Sequence, residues 1–378
     1  MYMIFVSIPL LLISTLWNRV NFRFKVLISV LSVIWLSTAF SIFYLNGNDW
    51  SIYFLSFVDG GAPFSIFEFG FVYFFKFLLY LSFGDFGTSI LLFYLISFFI
   101  LSFALFKVNC NQPYFFAFIV LVFGYSLILE QLRQYIACII VFYSFLCFVY
   151  LQKGYLRWVI VASCFHASAI AIVPMFLLMR IKNEKLFSLI SLLLSIVLFL
   201  FIFLSSHVFS SFSSYNFVFE KINYYLSSHG ILLKFGFLNI LDFIFILAYF
   251  LNVIYGNVKY KDNLLVRLIY LGAIIHLFSS SIPFLVRISY YFYFVVVLYF
   301  SLQKNIFSRF LCLKLFRAYC LFLFFIVLNL ASYFRNPNAP ISFYQLEVNF
   351  SYIFYDNNRL HNLAQEKWLS SIEDKGLR

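Results

Sequence analysis

The chain has 378 residues, of which 64% are hydrophobic and 11% charged, with a formal net charge of +12. A soluble domain carries about 25% charged residues, so this composition excludes a soluble globular enzyme and defines an all-α, polytopic integral membrane protein. In such a chain the basic excess belongs to cytoplasmic loops and to anionic lipid substrates, not to nucleic acid. The six cysteines, Cys110, Cys138, Cys147, Cys164, Cys312 and Cys320, form no CxxC pair. Most lie in apolar runs and are expected to be small buried hydrophobes. The 58 Phe and 28 Tyr are assigned to lipid packing and interfacial belts.

The N-terminal run MYMIFVSIPLLLISTLW lacks a basic n-region and a clear cleavage site, so it is expected to be a first membrane helix rather than a signal peptide. Apolar segments then follow one another, about twelve in all, each long enough or nearly so to cross ~30 Å. They are 2–17, 26–45, 69–83, 88–107, 114–129, 133–151, 157–179, 186–205, 236–256, 264–282, 287–302 and 311–332. Residues 1–333 therefore form one membrane domain and 334–378 a polar tail, whose last dozen residues suit a short surface helix. Neither a soluble domain nor an internal repeat is evident.

Lys and Arg set the orientation. Arg19, Arg23 and Lys25 place the first connection in the cytoplasm. The second connection, residues 46–68, has Asp49, Asp59 and Glu68 and no base, so it lies outside. Alternation puts Arg180, Lys182, Lys185, Lys259, Lys261, Lys304 and Arg309 inside, and the longest loop, about 206–235, outside. One connection resists: Lys153 and Arg157 would lie outside and Arg133 near the cytoplasmic end of its helix. A re-entrant segment at 114–129, with its Gly124, would move Arg133 outward but requires a second irregular segment downstream.

Charge and imidazole at membrane depth mark functional candidates. The stretch from Glu130 to Ser168 holds two of them. Arg133 is either a helix-end arginine, snorkelling or paired with Glu130, or a bidentate anion ligand; Gln134 follows it. His166 lies about ten residues inside the expected 157–179 helix. It is either a satisfied core histidine or a cavity-lining proton acceptor. In the loop NGNDWSIYFLSFVDGGAPFSIFEFG, Asp49 is flanked by Trp50 and Tyr53. The acids are a solvated face, or they belong to a carbohydrate site in which rings pack on sugars and a carboxylate bonds or deprotonates a hydroxyl. Glu68 can turn into the same cavity. Arg287, after Pro283, is an interfacial arginine or a second anion ligand, and His276 lies in the preceding helix. Lys221 and Tyr224 in the outer loop are lid residues or plain surface. No phosphate-binding glycine motif, HExxH, Cys/His metal spacing or GxSxG occurs, so no metal or cofactor is expected.

The order GNDW-x2-Y, FEFG, LRQYIA, FHASA and RISYYF resembles the EpsG family of bacterial Wzy-like polysaccharide polymerases, over residues 46–295. In that family a (T/N)D-x-x-x-Y element, an (I/L)RQ-x-(I/L)A element, an FH-x-(S/T)A element and an R-x-x-Y-F element recur in this order. The resemblance implies a GT-C-like glycosyltransferase that polymerises undecaprenyl-diphosphate-linked oligosaccharide repeat units of O-antigen, capsule or exopolysaccharide at the outer face of the bacterial inner membrane. It carries the family's recurring residues onto Asp49, Tyr53, Arg133, Gln134, His166 and Arg287. Expected partners are the lipid-linked oligosaccharide, the bilayer and a chain-length regulator protein. The rival classes are a lipid-linked oligosaccharide flippase, an O-antigen ligase and a membrane acyltransferase.

Overall fold

The computed structural model describes the chain except residues 1, 48, 61–66, 152, 213–236, 255–263, 281–282, 303–322, 324, 328–329, 331–356 and 374–378. For residues 198, 201–212, 237–238, 254, 283–286 and 368–373 it describes the backbone alone. The described residues are predominantly helical, joined by turns, with an isolated bridge between Cys110 and Leu302. They divide into two compact units. The first comprises residues 1–139, 164–167 and 297–378, and the second residues 140–163 and 168–296.

The first unit is built from α1 (Tyr2–Ser14), α2 (Phe22–Phe43), α3 (Trp50–Phe57), α4 (Phe69–Leu81), α5 (Phe86–Phe106), α6 (Gln112–Phe123) and the start of α7 (Leu132–Leu146). Side-chain caps start three of them: Asn21 accepts the Phe24 amide, Asp85 the Thr88 amide and Asn111 the Tyr114 amide, each satisfying an amide that lacks a helical partner. In α2 the soluble-protein order is reversed. Ser29, Ser32, Ser37 and Ser41 face inward, each donating to the carbonyl four residues back, while Phe24, Leu27, Leu31 and Ile34 are exposed. An apolar outer face suits lipid, where association rests on packing rather than on removing apolar surface from water. Much of that packing is aromatic. Phe93 and Phe98 of α5 both meet Tyr135 of α7, and Phe40 of α2 meets Phe98, at ring spacings worth about 0.5–1.5 kcal/mol a pair. This interior is a second use for the excess of phenylalanine, beyond lipid contact.

Among the described residues four helical stretches are long and apolar enough to cross a membrane: Phe22–Asn46, Phe86–Phe106, Gln112–Leu129 and Leu132–Leu151. Helix α6 reaches this length by continuing as a π-helical turn, Gly124–Leu129. The expected irregularity near Gly124 takes the form of a π-helical turn within one continuous helical stretch. Helix α4, expected to cross as 69–83, has 13 residues, about 20 Å at 1.5 Å per residue. Both of its ends stay beside the N-terminal half of α5: Phe71 and Phe74 meet Phe93, and Ser82 Oγ lies 2.6 Å from Ser89 Oγ. The N-terminus of α5 in turn lies beside the C-terminal end of α2, through Tyr44 and Phe86. Helix α4 therefore begins and ends toward the face that carries the 46–68 loop.

In the second unit α7 continues through a π-helical turn to Leu151, followed by α8 (Tyr155–Phe165), α9 (Ile172–Met179), α10 (Glu184–Phe212), α11 (Phe237–Ile254), α12 (Leu264–Ser279) and most of α13 (Pro283–Ser301). The expected continuous span 157–179 is broken: α8 ends at Phe165, and a 3-10 turn, Ala167–Ala171, precedes α9. Its two ends meet again, since Arg180 Nη2 donates to the Tyr155 hydroxyl at 2.5 Å and the Tyr155 and Phe176 rings are 4.6 Å apart. The stretch thus folds back on itself. Helices α11 and α12 pack together and α10 lies against α12. Gly272 permits a close crossing, because a Cβ there would stand 2.5 Å from Phe292 Cβ. Helix α10 runs past the expected end at 205 to Phe212, and the remainder of the expected 206–235 loop lies outside the described residues. So does most of the expected span 311–332. In the polar tail, α14 (Asn357–Glu373) belongs to the first unit and packs on α3.

Candidate functional site

The first unit gathers four of the candidate residues. Glu68 stands just ahead of α4 in extended conformation, and its carboxylate makes no capping bond to its own helix. Its Oε2 instead accepts Arg133 Nη1 at 2.7 Å, and its Oε1 accepts the Ala167 amide at 3.1 Å. That amide follows the break at His166, so Glu68 satisfies a backbone group released there. Arg133 is the second residue of α7, where a cation opposes the helix dipole by about 0.3–1 kcal/mol; Glu68 offsets that cost. The Arg133 side chain is 24% exposed and that of Glu68 21%. Phe67 lies under the guanidinium at 5.0 Å, Tyr53 stacks on Phe67 at 5.5 Å, and the Tyr53 hydroxyl is hydrogen-bonded to Arg133. The partner of Arg133 is therefore Glu68, 65 residues upstream, and not the neighbouring Glu130. The pairing also puts Arg133 on the face of the 46–68 loop, not at the opposite end of its helix.

Burial opposes ionisation of Glu68. The Arg133 guanidinium, then His166 and the Ala167 amide, outweigh it and hold the carboxyl below the usual carboxylate range. Burial, partly offset by Arg133, pushes the Tyr53 phenol up to about 12, so at neutral pH it is an un-ionised hydroxyl whose oxygen accepts from Arg133. The backbone explains the FEFG signature around Glu68. A Cβ on Gly70 would stand 2.6 Å from the Cys164 carbonyl oxygen, so only glycine lets the start of α4 approach the end of α8 this closely.

The other candidates are placed as follows. Gln134 is buried on α7 beside Arg133. Asp49 is exposed at the start of α3. Trp50 and Tyr53 are 3% and 2% exposed, so the expectation that their rings present faces to a sugar does not fit this conformation: Trp50 lies under Lys367, and Tyr53 under Phe67. Arg287 is half-buried on α13 in the second unit. Lys221 and Tyr224 fall outside the described residues. His276 is buried in the second unit, with Nδ1 2.5 Å from Asp242 Oδ2. Tyr293 and Asn239 donate to the same carboxylate, each at 3.4 Å. Asp242 had a signal in the sequence, a lone acid inside an apolar helix, as had Arg267, which is fully buried against Glu184 at 2.9 Å. Among the described residues no group of three or more His, Cys, Asp and Glu is arranged to hold a metal ion.

Apolar outer faces, full-length apolar helices and an ionic cluster at a helix break define a helical membrane protein with a polar site on one face. A family model described as the EpsG family matches residues 26–346, and the chain belongs to that family. Membership ties it to polysaccharide biosynthesis at a membrane. No curated protein and no solved structure matches it.

Proposed function

We propose that this chain is an oligosaccharide repeat-unit polymerase, a glycosyltransferase that moves a glycan from undecaprenyl diphosphate onto an acceptor repeat unit at the outer face of the inner membrane. One observation carries the proposal: Tyr53, Arg133 and His166, drawn from three separate sequence motifs, gather around the carboxylate of Glu68, which belongs to a fourth, in the first unit.

The acceptor hydroxyl oxygen attacks the anomeric carbon, the bond from that carbon to the phosphate oxygen breaks, and undecaprenyl diphosphate leaves with the electron pair. The glycosyl phosphate bond already stores the driving force, so the reaction needs no nucleotide. Arg133, fixed by Glu68 and Tyr53, is assigned to the charge growing on the diphosphate. His166 is assigned to the hydroxyl proton, with Glu68 beside it to balance the charge gained. Asp49 is the second candidate base, and Arg287 is a separate candidate ligand for phosphate. Glu68 is assigned to positioning, because a carboxylate held ionised is a weak base.

The same proposal carries a GT-C-like architecture and a revised topology. Reading 69–83 and 157–179 as returning to the face they start from by their contacts, and keeping the other expected segments, the 13-residue α1 included, leaves about ten crossings. Counted along the chain, Lys153 and Arg157 then leave on the cytoplasmic side, the Lys107 connection joins them there, and the basic loops assigned to the inside above keep that assignment.

Surface polysaccharide from a host lacking the gene, separated on a gel, tests the function. Loss of a polymerase collapses the ladder to single repeat units. Absence of repeat units from the surface would identify a flippase, and long unattached polymer would identify a ligase; either result overturns the proposal.

A further inference from the structure

Helix α14 lies beyond the family-matched residues 26–346, yet it is fastened to the element that carries Asp49 and Tyr53. Leu360 and Ala364, one helical turn apart, are buried along its inner side. Asn357 Nδ2 donates to the Gly84 carbonyl at 3.4 Å, and His361 Nδ1 lies 3.0 Å from Asp59 Oδ1 just past the end of α3. At the other end of α3, Lys367 Nζ donates to the Leu45 carbonyl at 3.3 Å and to the Gly47 carbonyl. Its ammonium stands 5.8 Å from the centroid of the Trp50 ring, and Asp49 and Glu130 are the acidic groups that act on it.

We propose that α14 is a strap over the 46–57 element and that Lys367 is a positioning residue for the Arg133 site. Where α2 runs out through the Tyr44–Asn46 turn, Lys367 takes up the Leu45 and Gly47 carbonyls together, since an ammonium offers three donors from a single point. Helix α3 joins the two places: Trp50 takes the lysine on one side, and Tyr53, less than one turn later, carries Phe67 and the Arg133 hydrogen bond on the other. If Lys367 is removed, the turn before α3 relaxes and Tyr53 moves with it. A misplacement of about 1 Å at a reacting group costs up to ~100-fold in rate.

The activity arm of the test rests on the polymerase proposal; the crosslinking arm does not. In a full-length chain carrying Asp59→Cys and His361→Cys, with a protease site introduced between residues 340 and 350, a disulfide is expected to hold the two cleaved pieces together in intact membranes. The locked protein is expected to keep making polymer. Lys367→Met is expected to lower polymer by about 10-fold to 100-fold at an unchanged membrane level, and Lys367→Arg to recover most of it. Absence of the disulfide overturns the strap. So does a locked protein that makes polymer only after reduction, because α14 would then be a lid that must open. Wild-type polymer from Lys367→Met, alongside none from Arg133→Ala, overturns the role of Lys367. If both variants keep full polymer, the polymerase assignment itself falls, and the crosslink alone decides whether α14 is a strap.

Discussion

Each unit contains an arginine paired with a glutamate, and the two pairs are built to different ends. In the second unit Arg267 is fully buried: Nε meets both oxygens of Glu184, at 2.9 and 3.2 Å, Nη1 donates to the carbonyls of Met179 and Ile181, and Nη2 reaches that of Lys182. Phe187 lies under the guanidinium at 4.4 Å, and Tyr249 donates to Glu184. This cation sits at the C-terminal end of α9, where the helix dipole favours it, and it stitches the turn between α9 and α10. In the first unit Arg133 sits at the N-terminal end of its helix, against the dipole, and about a quarter of its side chain is exposed. One arginine is spent on the fold. The other keeps part of its charge exposed beside Glu68, and a partly exposed charge in such a chain is a functional candidate.

The largest test of this contrast removes Arg267. Breaking a buried ion pair from one side costs about 3–5 kcal/mol, so Arg267→Ala is expected to disappear from the membrane fraction, as is Glu184→Ala. Either variant at a normal level would erase the distinction. Arg133→Ala is expected to behave oppositely: normal membrane level, with polymer reduced about 10²–10³-fold. Arg133→Lys should recover little, because an ammonium lacks the planar fork. A smaller effect is expected for Glu68→Gln, which keeps an oxygen for the Ala167 amide but loses the charge facing Arg133. Its polymer output should fall about 10-fold (~1.4 kcal/mol of transition-state stabilisation). The sign of the pH dependence follows from the depressed Glu68 carboxyl. Its contribution is fully present above the unfolded value of about 4.3 and is lost only as the pH falls through the lower folded value. Thermal stability of the detergent-solubilised protein should therefore lose this contribution only in acid, and Glu68→Gln should lack that component.

The membrane class, the helical plan and the candidates Arg133 and His166 were legible in the sequence, because composition and isolated charges in apolar runs report on them directly. Three features were not. The Arg133–Glu68 pair joins residues 65 positions apart, whereas spacing alone offers only the nearby Glu130 as an acidic partner. The break at His166 is invisible to hydropathy, because the stretch stays apolar on both sides of it. The docking of Lys367 depends on a tail whose composition reads as solvated surface. One further signal lay in the charges: Lys153 and Arg157 break the positive-inside pattern of twelve crossings, and the proposed ten-crossing topology is the reading that restores it.

The smallest expected effect comes from a residue with no charge at all. Gly70 has no contact of its own to lose, but a Cβ there would stand 2.6 Å from the Cys164 carbonyl oxygen and 2.8 Å from Cys164 Cβ. Neither neighbour is the free end of a flexible side chain, so in Gly70→Ala the start of α4 and the end of α8 must separate by a few tenths of an ångström. Overpacking of this kind costs about 1–3 kcal/mol, so a modest loss of membrane level is expected. Glu68, two residues before Gly70, spans the same junction with one oxygen on Arg133 and the other on the Ala167 amide. Moving the two helix ends apart stretches one of those bonds, and polymer should fall several-fold further than the protein level does. Phe69→Ala, at an exposed neighbour, supplies the control and should leave both quantities near wild type. Equal polymer per molecule in Gly70→Ala and wild type would mean that the close approach of α4 to the helix break does not set the position of Glu68, and that Arg133 owes its placement to Tyr53 and Phe67 instead.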